Sequence, residues 1–112
     1  MGDENLTLIR GTLDLLILKA LSTGEKHGYA VSEWIQSVTD GRLLVEEGTL
    51  YPALHRLERR GLVAAEWGLS DNNRRAKFYR LTRAGAKGLE SESSTWHSYS
   101  DAVGKALGSE AP

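Results

Sequence analysis

The sequence of 112 residues contains no cysteine, which excludes disulfide bonds, thiolate metal sites and cysteine nucleophiles. It also contains no run that approaches the roughly 18 apolar residues of a membrane-spanning helix. The N-terminus carries Asp3 and Glu4 and lacks a long apolar stretch, so we expect no signal peptide. These absences predict one cytoplasmic domain without membrane contact, with a core small enough for dimerisation to help stabilise it.

The charged residues are unevenly distributed along the chain, although the formal net charge is only −1. The segment from Arg56 to Arg83 holds eight basic and three acidic residues, so it carries +5, and the remainder of the chain carries −6. A basic segment within an acidic chain attracts polyanions. A solvated surface fits the same charge equally well, so the surrounding fold has to decide between the two interpretations.

Apolar periodicity predicts two helices in the first third of the chain. The first covers Thr12 to Leu21, and Leu15 and Leu18 extend its apolar surface beyond one face. A short helix that is apolar on nearly every side is buried on two sides, which here indicates contact with a partner subunit. The second helix is predicted from about Gly28 to Thr39, with Asp40-Gly41 ending it.

A third helix is predicted inside the motif EEGTLYPALHRLERRGLV. Thr49 is the expected N-cap. Pro52 is expected in the first turn, where its missing N–H costs little, and Gly61 ends the helix. The expected buried stripe consists of Leu50, Leu54 and Leu57.

A β-hairpin and a long helix complete the predicted fold. Residues 63–69 alternate between apolar and smaller or polar side chains, residues 70–73 are turn formers, and residues 74–81 return. Thr82 is the expected N-cap of a helix over about Arg83 to Leu107, in which Leu89, Trp96 and Val103 recur every seven residues. We therefore expect a mainly α fold with a small β-hairpin. A winged helix-turn-helix DNA-binding domain (residues 1–81) and a C-terminal dimerisation helix with its tail (residues 82–112) form one structural unit.

The basic segment coincides with the parts of a winged helix that meet DNA. In this fold the third helix enters the major groove and the hairpin, or wing, lies on the neighbouring backbone. Arg59 fits a solvated helix-end cation as well, Asn73 fits a purely structural turn residue, and Tyr51 borders the buried stripe. The residues predicted to contact DNA are Thr49, Tyr51, Pro52, His55, Arg59, Asn73, Arg74, Arg75 and Lys77.

A homodimer is predicted from the first and last helices. In a two-fold dimer, Trp96 would approach its mate near the axis. The pair could simply pack the interface, or Trp96 and Tyr99 could flank a space for a small aromatic effector. No metal site or cofactor is predicted, because His27, His55 and His97 are too scattered. The predicted interface residues are Leu15, Leu18, Leu89, Trp96, Tyr99 and Val103.

Five segments resemble those of the PadR-type transcriptional regulators of the short subgroup. They are GTLDLLILKAL, HGYAV, EEGTLYPALHRLERRGLV, the wing EWGLSDNNRRAKFYRLTRAG and ESESSTWHSYSDAVGKAL in the last helix, and the resemblance covers about residues 8–107. It implies a homodimer that represses genes and is often released by a small ligand. It also implies that the Gly-Thr-Leu-Tyr-Pro segment faces DNA, which supports Thr49, Tyr51 and Pro52.

We therefore predict a sequence-specific regulator, most simply a repressor on a palindromic operator, and not an enzyme. The alternative is a winged-helix module that binds protein or RNA. The basic wing disfavours a purely protein partner, and the expected lack of an exposed aromatic surface disfavours RNA.

Overall fold

The computed structural model describes residues 8 and 11–108 and contains the predicted order of helices and hairpin. Asp3 and Glu4 lie outside the described residues. The long C-terminal helix and the three-helix arrangement before the hairpin confirm the expected winged helix-turn-helix class. Its elements are α1 (Thr12–Ser22), β1 (Lys26–His27), α2 (Gly28–Val38), α3 (Glu47–Arg59), β2 (Val63–Leu69), β3 (Arg75–Leu81) and α4 (Arg83–Ala106).

The core lies between α1, α2, α3 and the base of the hairpin. Its side chains are contributed by the apolar stripes of the three helices and by the first residues of β2 and the last of β3. Leu18 is only 2% exposed within this single chain, so the prediction that it contacts a partner subunit is wrong. The second apolar side of α1 at this position is covered by the chain's own core. The largest fully buried side chains of the core are Ile17, Leu18, Val31, Ile35, Leu50, Leu54, Leu57, Val63 and Tyr79.

A two-residue strand, β1, joins the hairpin to the helices and was not predicted. Lys26 pairs with Tyr79 and His27 pairs with Phe78, which gives an antiparallel sheet of order β1-β3-β2. The same His27 begins α2, since its Nδ1 accepts a hydrogen bond from the Ala30 N–H at 3.2 Å. The expected start of the second helix at the HGYAV motif is thereby confirmed, with the histidine as its cap.

The third helix begins earlier than the sequence analysis predicted. Its N-cap is Glu46, with extended backbone at φ −79° and ψ 153° and no side-chain capping bond. The backbone N–H groups of Thr49 and Leu50 both donate to the Glu46 carbonyl, so the prediction of Thr49 as N-cap is wrong. Pro52 lies inside the helix rather than in its first turn. The missing proline N–H therefore removes one internal hydrogen bond of α3.

Thr82 fixes the start of α4 to the end of α3. Its Oγ1 accepts from the Gly85 N–H at 3.0 Å, which confirms it as the N-cap, and donates to the Gly61 carbonyl at 2.7 Å. The Thr82 N–H donates to the Leu62 carbonyl at 3.1 Å. Beyond this junction α4 packs on α1 and β3, and Leu89 lies against the core.

Candidate nucleic-acid interface

The outer face of α3 is open along its length. Thr49, Pro52, His55 and Arg59 are all exposed, and Tyr51 is 37% exposed. The buried stripe predicted for this helix occupies its other face, because Leu50, Leu54 and Leu57 are fully buried. All five α3 residues predicted to contact DNA therefore lie on one accessible surface.

Tyr51 links this face to the start of α2. A Cβ placed on Gly28 would lie 2.5 Å from the Tyr51 hydroxyl oxygen and 2.7 Å from the ring, so Gly28 provides the space in which the tyrosine packs. Burial, and secondarily the nearby Glu47 carboxylate, raises the pKa of Tyr51. Its hydroxyl is therefore protonated at neutral pH and can donate a hydrogen bond.

Two other arginines, at the end of α3, are turned towards α1. Arg56 Nη2 lies 2.6 Å from Asp14 Oδ1, and Arg60 Nη1 lies 3.7 Å from Asp14 Oδ2. The pairing of Arg56 with Asp14 joins residues 42 positions apart, so no local pattern could have indicated it. Asp14 partly neutralises this part of the basic segment and holds α3 against α1.

The wing presents two exposed arginines at its tip. Ser70 N–H donates to the Arg74 carbonyl at 2.8 Å and Asn73 N–H to the Ser70 carbonyl at 2.9 Å, closing the turn between β2 and β3. Asn73 has φ +64°, a left-handed conformation that asparagine tolerates better than most residues. Asn73 therefore has a structural role in the turn. Arg74 and Arg75 are exposed, and neither forms an ion pair within the described part of the chain.

Lys77 differs from the two arginines, because it faces α3. Its Nζ lies 3.5 Å from Glu58 Oε1 and 5.7 Å from the centre of the Tyr79 ring, and its side chain is 29% exposed. This geometry ties the wing to α3. The structure thus places Lys77 beside the predicted contact surface with part of its charge already neutralised.

A groove of about 610 Å³ separates the wing from α2 and α3. Two of its exposed aromatic residues were not among the predicted site residues: Tyr29 is 61% exposed and Trp67 is 57% exposed. The expected absence of an exposed aromatic surface is therefore wrong. Tyr29 lies in the HGYAV motif, so the sequence analysis had already singled out its segment. No local pattern indicated that Trp67 would lie outside the core. The groove is lined by His27, Tyr29, Tyr51, Trp67, Arg74 and Arg75, among others.

A second cleft lies between the start of α1 and α4. It measures about 280 Å³ and is lined by Thr12, Leu15, Glu92, Trp96 and Tyr99, among others. The Trp96 and Tyr99 rings are 6.5 Å apart. Further along α4 the side chains of Tyr99 and Val103 are 63% and 37% exposed. Four of the predicted interface residues, Leu15, Trp96, Tyr99 and Val103, thus flank this cleft or continue from it along α4.

Neither a membrane span nor a metal-binding cluster is found where the chain is described. No helix there is long and apolar enough to cross a bilayer. Over the same residues, no three His, Asp or Glu side chains are grouped so that they could hold a metal ion.

An open third helix beside a basic wing defines a winged helix-turn-helix protein of the kind that regulates transcription. The chain belongs to the PadR-like family of transcriptional regulators, whose family model matches residues 17–91. This confirms the resemblance drawn from the motifs, and the prediction that the chain is not an enzyme, since the family consists of regulators.

Individual relatives agree with this assignment. The chain is 38% identical over 81 residues to the transcriptional regulator Rv3488 of Mycobacterium tuberculosis, covering 71% of each chain. A longer relative, the transcriptional regulator YqjI of Escherichia coli, is 32% identical over 80 residues, which is 37% of its length.

Solved structures share the fold. A transcriptional regulator from Clostridium thermocellum superposes with a TM-score of 0.79 at 33% identity, covering 87% of this chain and 94% of that one. Bacillus subtilis PadR in complex with operator DNA superposes with a TM-score of 0.64 at 24% identity, covering 71% of this chain and 45% of that one. The similarity to Bacillus subtilis PadR therefore shows a shared fold.

Proposed function

We propose that this protein is a cytoplasmic, sequence-specific DNA-binding repressor that acts as a homodimer on a palindromic operator. The observation that carries the proposal is the shared surface of α3 and the wing. Tyr51, on the open face of α3, and the wing cations Arg74 and Arg75 line the same groove. A helix of this width enters a major groove, and cations beside it meet the adjacent phosphates.

Within this proposal the contact residues divide by chemistry. Thr49, Tyr51, Pro52 and His55 meet base edges, because they lie on the open side of α3 before its last turn. The wing residues Arg74 and Arg75, with Arg59 at the end of α3, contact phosphates and contribute affinity without sequence preference. Asn73 supports the turn that carries the arginines, and Lys77 contributes the part of its charge that Glu58 leaves free.

The proposed dimer forms through α1 and the distal half of α4. Tyr99 and Val103 give that half an apolar exposed surface, and a seven-residue repeat from Leu89 through Trp96 to Val103 suits a helix-to-helix seam. Leu15, beside the cleft, extends this surface onto α1. The cleft at Trp96 and Tyr99 would then lie at the interface, where a small aromatic effector could change the angle between subunits.

The DNA-binding proposal is tested by selecting bound sequences from random duplexes with the purified protein. We expect an inverted repeat whose half-sites are about one helical turn, roughly 34 Å, apart. Arg74→Ala/Arg75→Ala should weaken binding to every sequence and reduce the log–log salt slope by about 0.9 for each phosphate that the variant no longer neutralises. The matched control, Lys19→Ala/Lys87→Ala, removes the same charge from exposed positions outside the groove and should bind with a nearly unchanged slope.

An unchanged affinity and salt slope in the double arginine variant would show that the wing does not contact DNA. Selection of no duplex, together with tight binding of single-stranded RNA, would favour the alternative of an RNA-binding module. The exposed aromatic side chains of Tyr29 and Trp67 make RNA the competitor to include.

The dimer is tested by sedimentation of Val103→Asp. An unpaired charge in an apolar seam costs several kcal/mol, so the variant should sediment as a monomer and bind the operator weakly, because two linked half-sites bind better than one. Ser98→Asp adds the same charge at an exposed α4 position outside the repeat and should remain dimeric. A wild-type chain that stays monomeric at high micromolar concentration contradicts the proposal.

The effector site is tested by fluorescence of a variant in which Trp34 and Trp67 are replaced by Phe, which leaves Trp96 as the indole. Planar aromatic compounds should quench it saturably, and in the otherwise wild-type protein they should release DNA at matching concentrations. If none of them quenches Trp96, the cleft is only part of the subunit interface.

A further inference from the structure

One face of the hairpin passes from the core to the groove without interruption. Val63 is paired with Leu81, Ala65 with Tyr79, Trp67 with Lys77 and Leu69 with Arg75. Alternate residues of a strand point to the same side, so these pairs share one face. At its base that face is buried, with Val63 2% and Tyr79 1% exposed, whereas at its tip Trp67 and Leu69 are 57% and 66% exposed.

The exposed tryptophan is in contact with one of the two wing arginines. The Arg75 guanidinium carbon lies 4.6 Å from the centre of the Trp67 ring, within the range of a cation–π contact. Arg75 sits diagonally across from Trp67 in the β2–β3 register, the spacing at which long side chains still reach one another. The indole therefore provides a platform for the guanidinium on the groove side of the wing.

The neighbouring cation is arranged similarly but is held differently. Lys77 lies above the Tyr79 ring, and its Nζ is 3.5 Å from the Glu58 carboxylate. Arg75 rests on an aromatic ring too, but no carboxylate pairs with it in the region the structure describes. Trp67 therefore orders Arg75 without neutralising it, which leaves the guanidinium free to bind an anion.

We propose that Trp67 is a positioning residue for DNA binding: its indole holds the Arg75 guanidinium on the groove side of the wing, ready to contact a backbone phosphate. An arginine side chain loses substantial rotamer freedom when it is fixed in one geometry. The ring takes up part of that loss before DNA arrives, which raises affinity without adding a contact to the DNA. This inference rests on the proposed DNA-binding function.

The test is a double-mutant cycle on Trp67 and Arg75. Binding is measured by fluorescence anisotropy with a selected duplex and with a mixed-sequence duplex. Trp67→Ala should weaken binding by about two- to fivefold for each wing bound, the range expected for an exposed cation–π contact. The same substitution in the Arg75→Ala background should have almost no further effect, because the group it positions is gone.

Three further variants separate positioning from a merely structural role. Trp67→Phe keeps an aromatic face and should bind nearly as the wild type does, whereas Trp67→Leu keeps apolar bulk without that face and should bind as Trp67→Ala does. The matched control, Leu69→Ala, truncates another exposed apolar side chain on the same face of β2 and should bind nearly as the wild type does. Thermal unfolding of each variant reports whether the hairpin is retained, and the Phe and Leu comparison decides the matter even if Trp67→Ala unfolds.

Additive effects of Trp67→Ala and Arg75→Ala would overturn the inference, as would equal losses in Trp67→Ala and Leu69→Ala or equal binding by the Phe and Leu variants. Failure of the proposed function has a different signature, since the wild-type protein itself would then bind neither duplex. Failure of the inference alone leaves the wild type binding both duplexes and shows itself only in the comparison of the variants.

Discussion

Gly85 lies in the first turn of α4, at the point where this helix passes closest to the loop after α3. Within α4, which the structure describes in full, Gly85 is the only buried residue. A Cβ at this position would collide with the Leu62 carbonyl oxygen and would lie 2.9 Å from Leu81 Cδ1. The same carbonyl accepts a hydrogen bond from the Thr82 N–H at 3.1 Å. The atom that blocks a side chain at this position therefore belongs to the backbone, which cannot move aside as a flexible side chain can.

These contacts set the expected size of the effect of Gly85→Ala. Alanine raises intrinsic helix propensity by about 1 kcal/mol over glycine, whereas overpacking costs about 1–3 kcal/mol. Because the obstacle is a hydrogen-bonded carbonyl rather than a flexible side chain, we expect the upper end of that cost. The net result should be a destabilisation of about 2 kcal/mol.

Gly88 provides the matched control, one turn further along the same helix. A Cβ there would meet Leu62 Cδ2 at 3.8 Å, an ordinary van der Waals contact. Gly88→Ala should therefore gain about 1 kcal/mol from helix propensity alone. The two variants make the same chemical change in one helix and should differ by about 3 kcal/mol, with opposite signs relative to the wild type.

The assay is urea unfolding followed by circular dichroism at one fixed protein concentration, since association changes apparent stability. An unchanged m-value establishes that the shift in midpoint reports stability. If Gly85→Ala proved as stable as the wild type, the close approach of α4 to the α3–β2 loop would not exist as described.

Two further predictions concern the ion pair of α1 and the side chains of Tyr51 and Tyr79. Asp14→Asn should lower the free energy of unfolding in urea by less than about 1 kcal/mol, because the Arg56 side chain with which Asp14 pairs is half-exposed. A loss above about 2 kcal/mol would mean that Asp14 holds α1 and α3 together more strongly than a surface pair can. Burial raises the pKa of both Tyr51 and Tyr79, so the stability they contribute is fully present below the unfolded pKa of about 10 and falls as pH rises through the higher folded values. The urea midpoint should drop above about pH 10 and drop less in Tyr51→Phe, and an identical decline in both proteins would exclude a contribution from Tyr51.

Most elements were predicted from the sequence, because their signals are local. α1 was expected over Thr12–Leu21 and covers Thr12–Ser22, and α4 was expected over Arg83–Leu107 and covers Arg83–Ala106. Apolar spacing and an N-cap such as Thr82 act within a few residues, so a sequence reveals them. The start of α3 was missed because Glu46 makes no side-chain capping bond, and Thr49 displayed the residue type expected of a cap. β1 was missed because its two residues are strand only through pairing with β3.

The candidate site was predictable as a region and not as a set of interactions. The positive charge of the wing and the open face of α3 follow from composition and periodicity. The pairing of Arg56 with Asp14, of Lys77 with Glu58 and of Arg75 with Trp67 depends on tertiary contacts between different elements. These contacts decide which cations remain available to bind an anion. The sequence therefore identified the basic segment but did not show which of its cations are available.

The junction at Thr82 connects the two halves of the proposed mechanism. Its hydroxyl donates to the Gly61 carbonyl at the end of α3 and caps α4, and its N–H donates to the Leu62 carbonyl. Gly85 adds a close backbone contact at the same place. The helix that carries the proposed dimer seam is thus attached at its first turn to the end of the proposed recognition helix.

In a dimer built on α4, a change in the angle between the two copies of this helix would be transmitted to both copies of α3. The spacing of the recognition helices would shift without any distortion inside a subunit, so an effector at the Trp96 cleft could act on DNA binding through rigid-body motion.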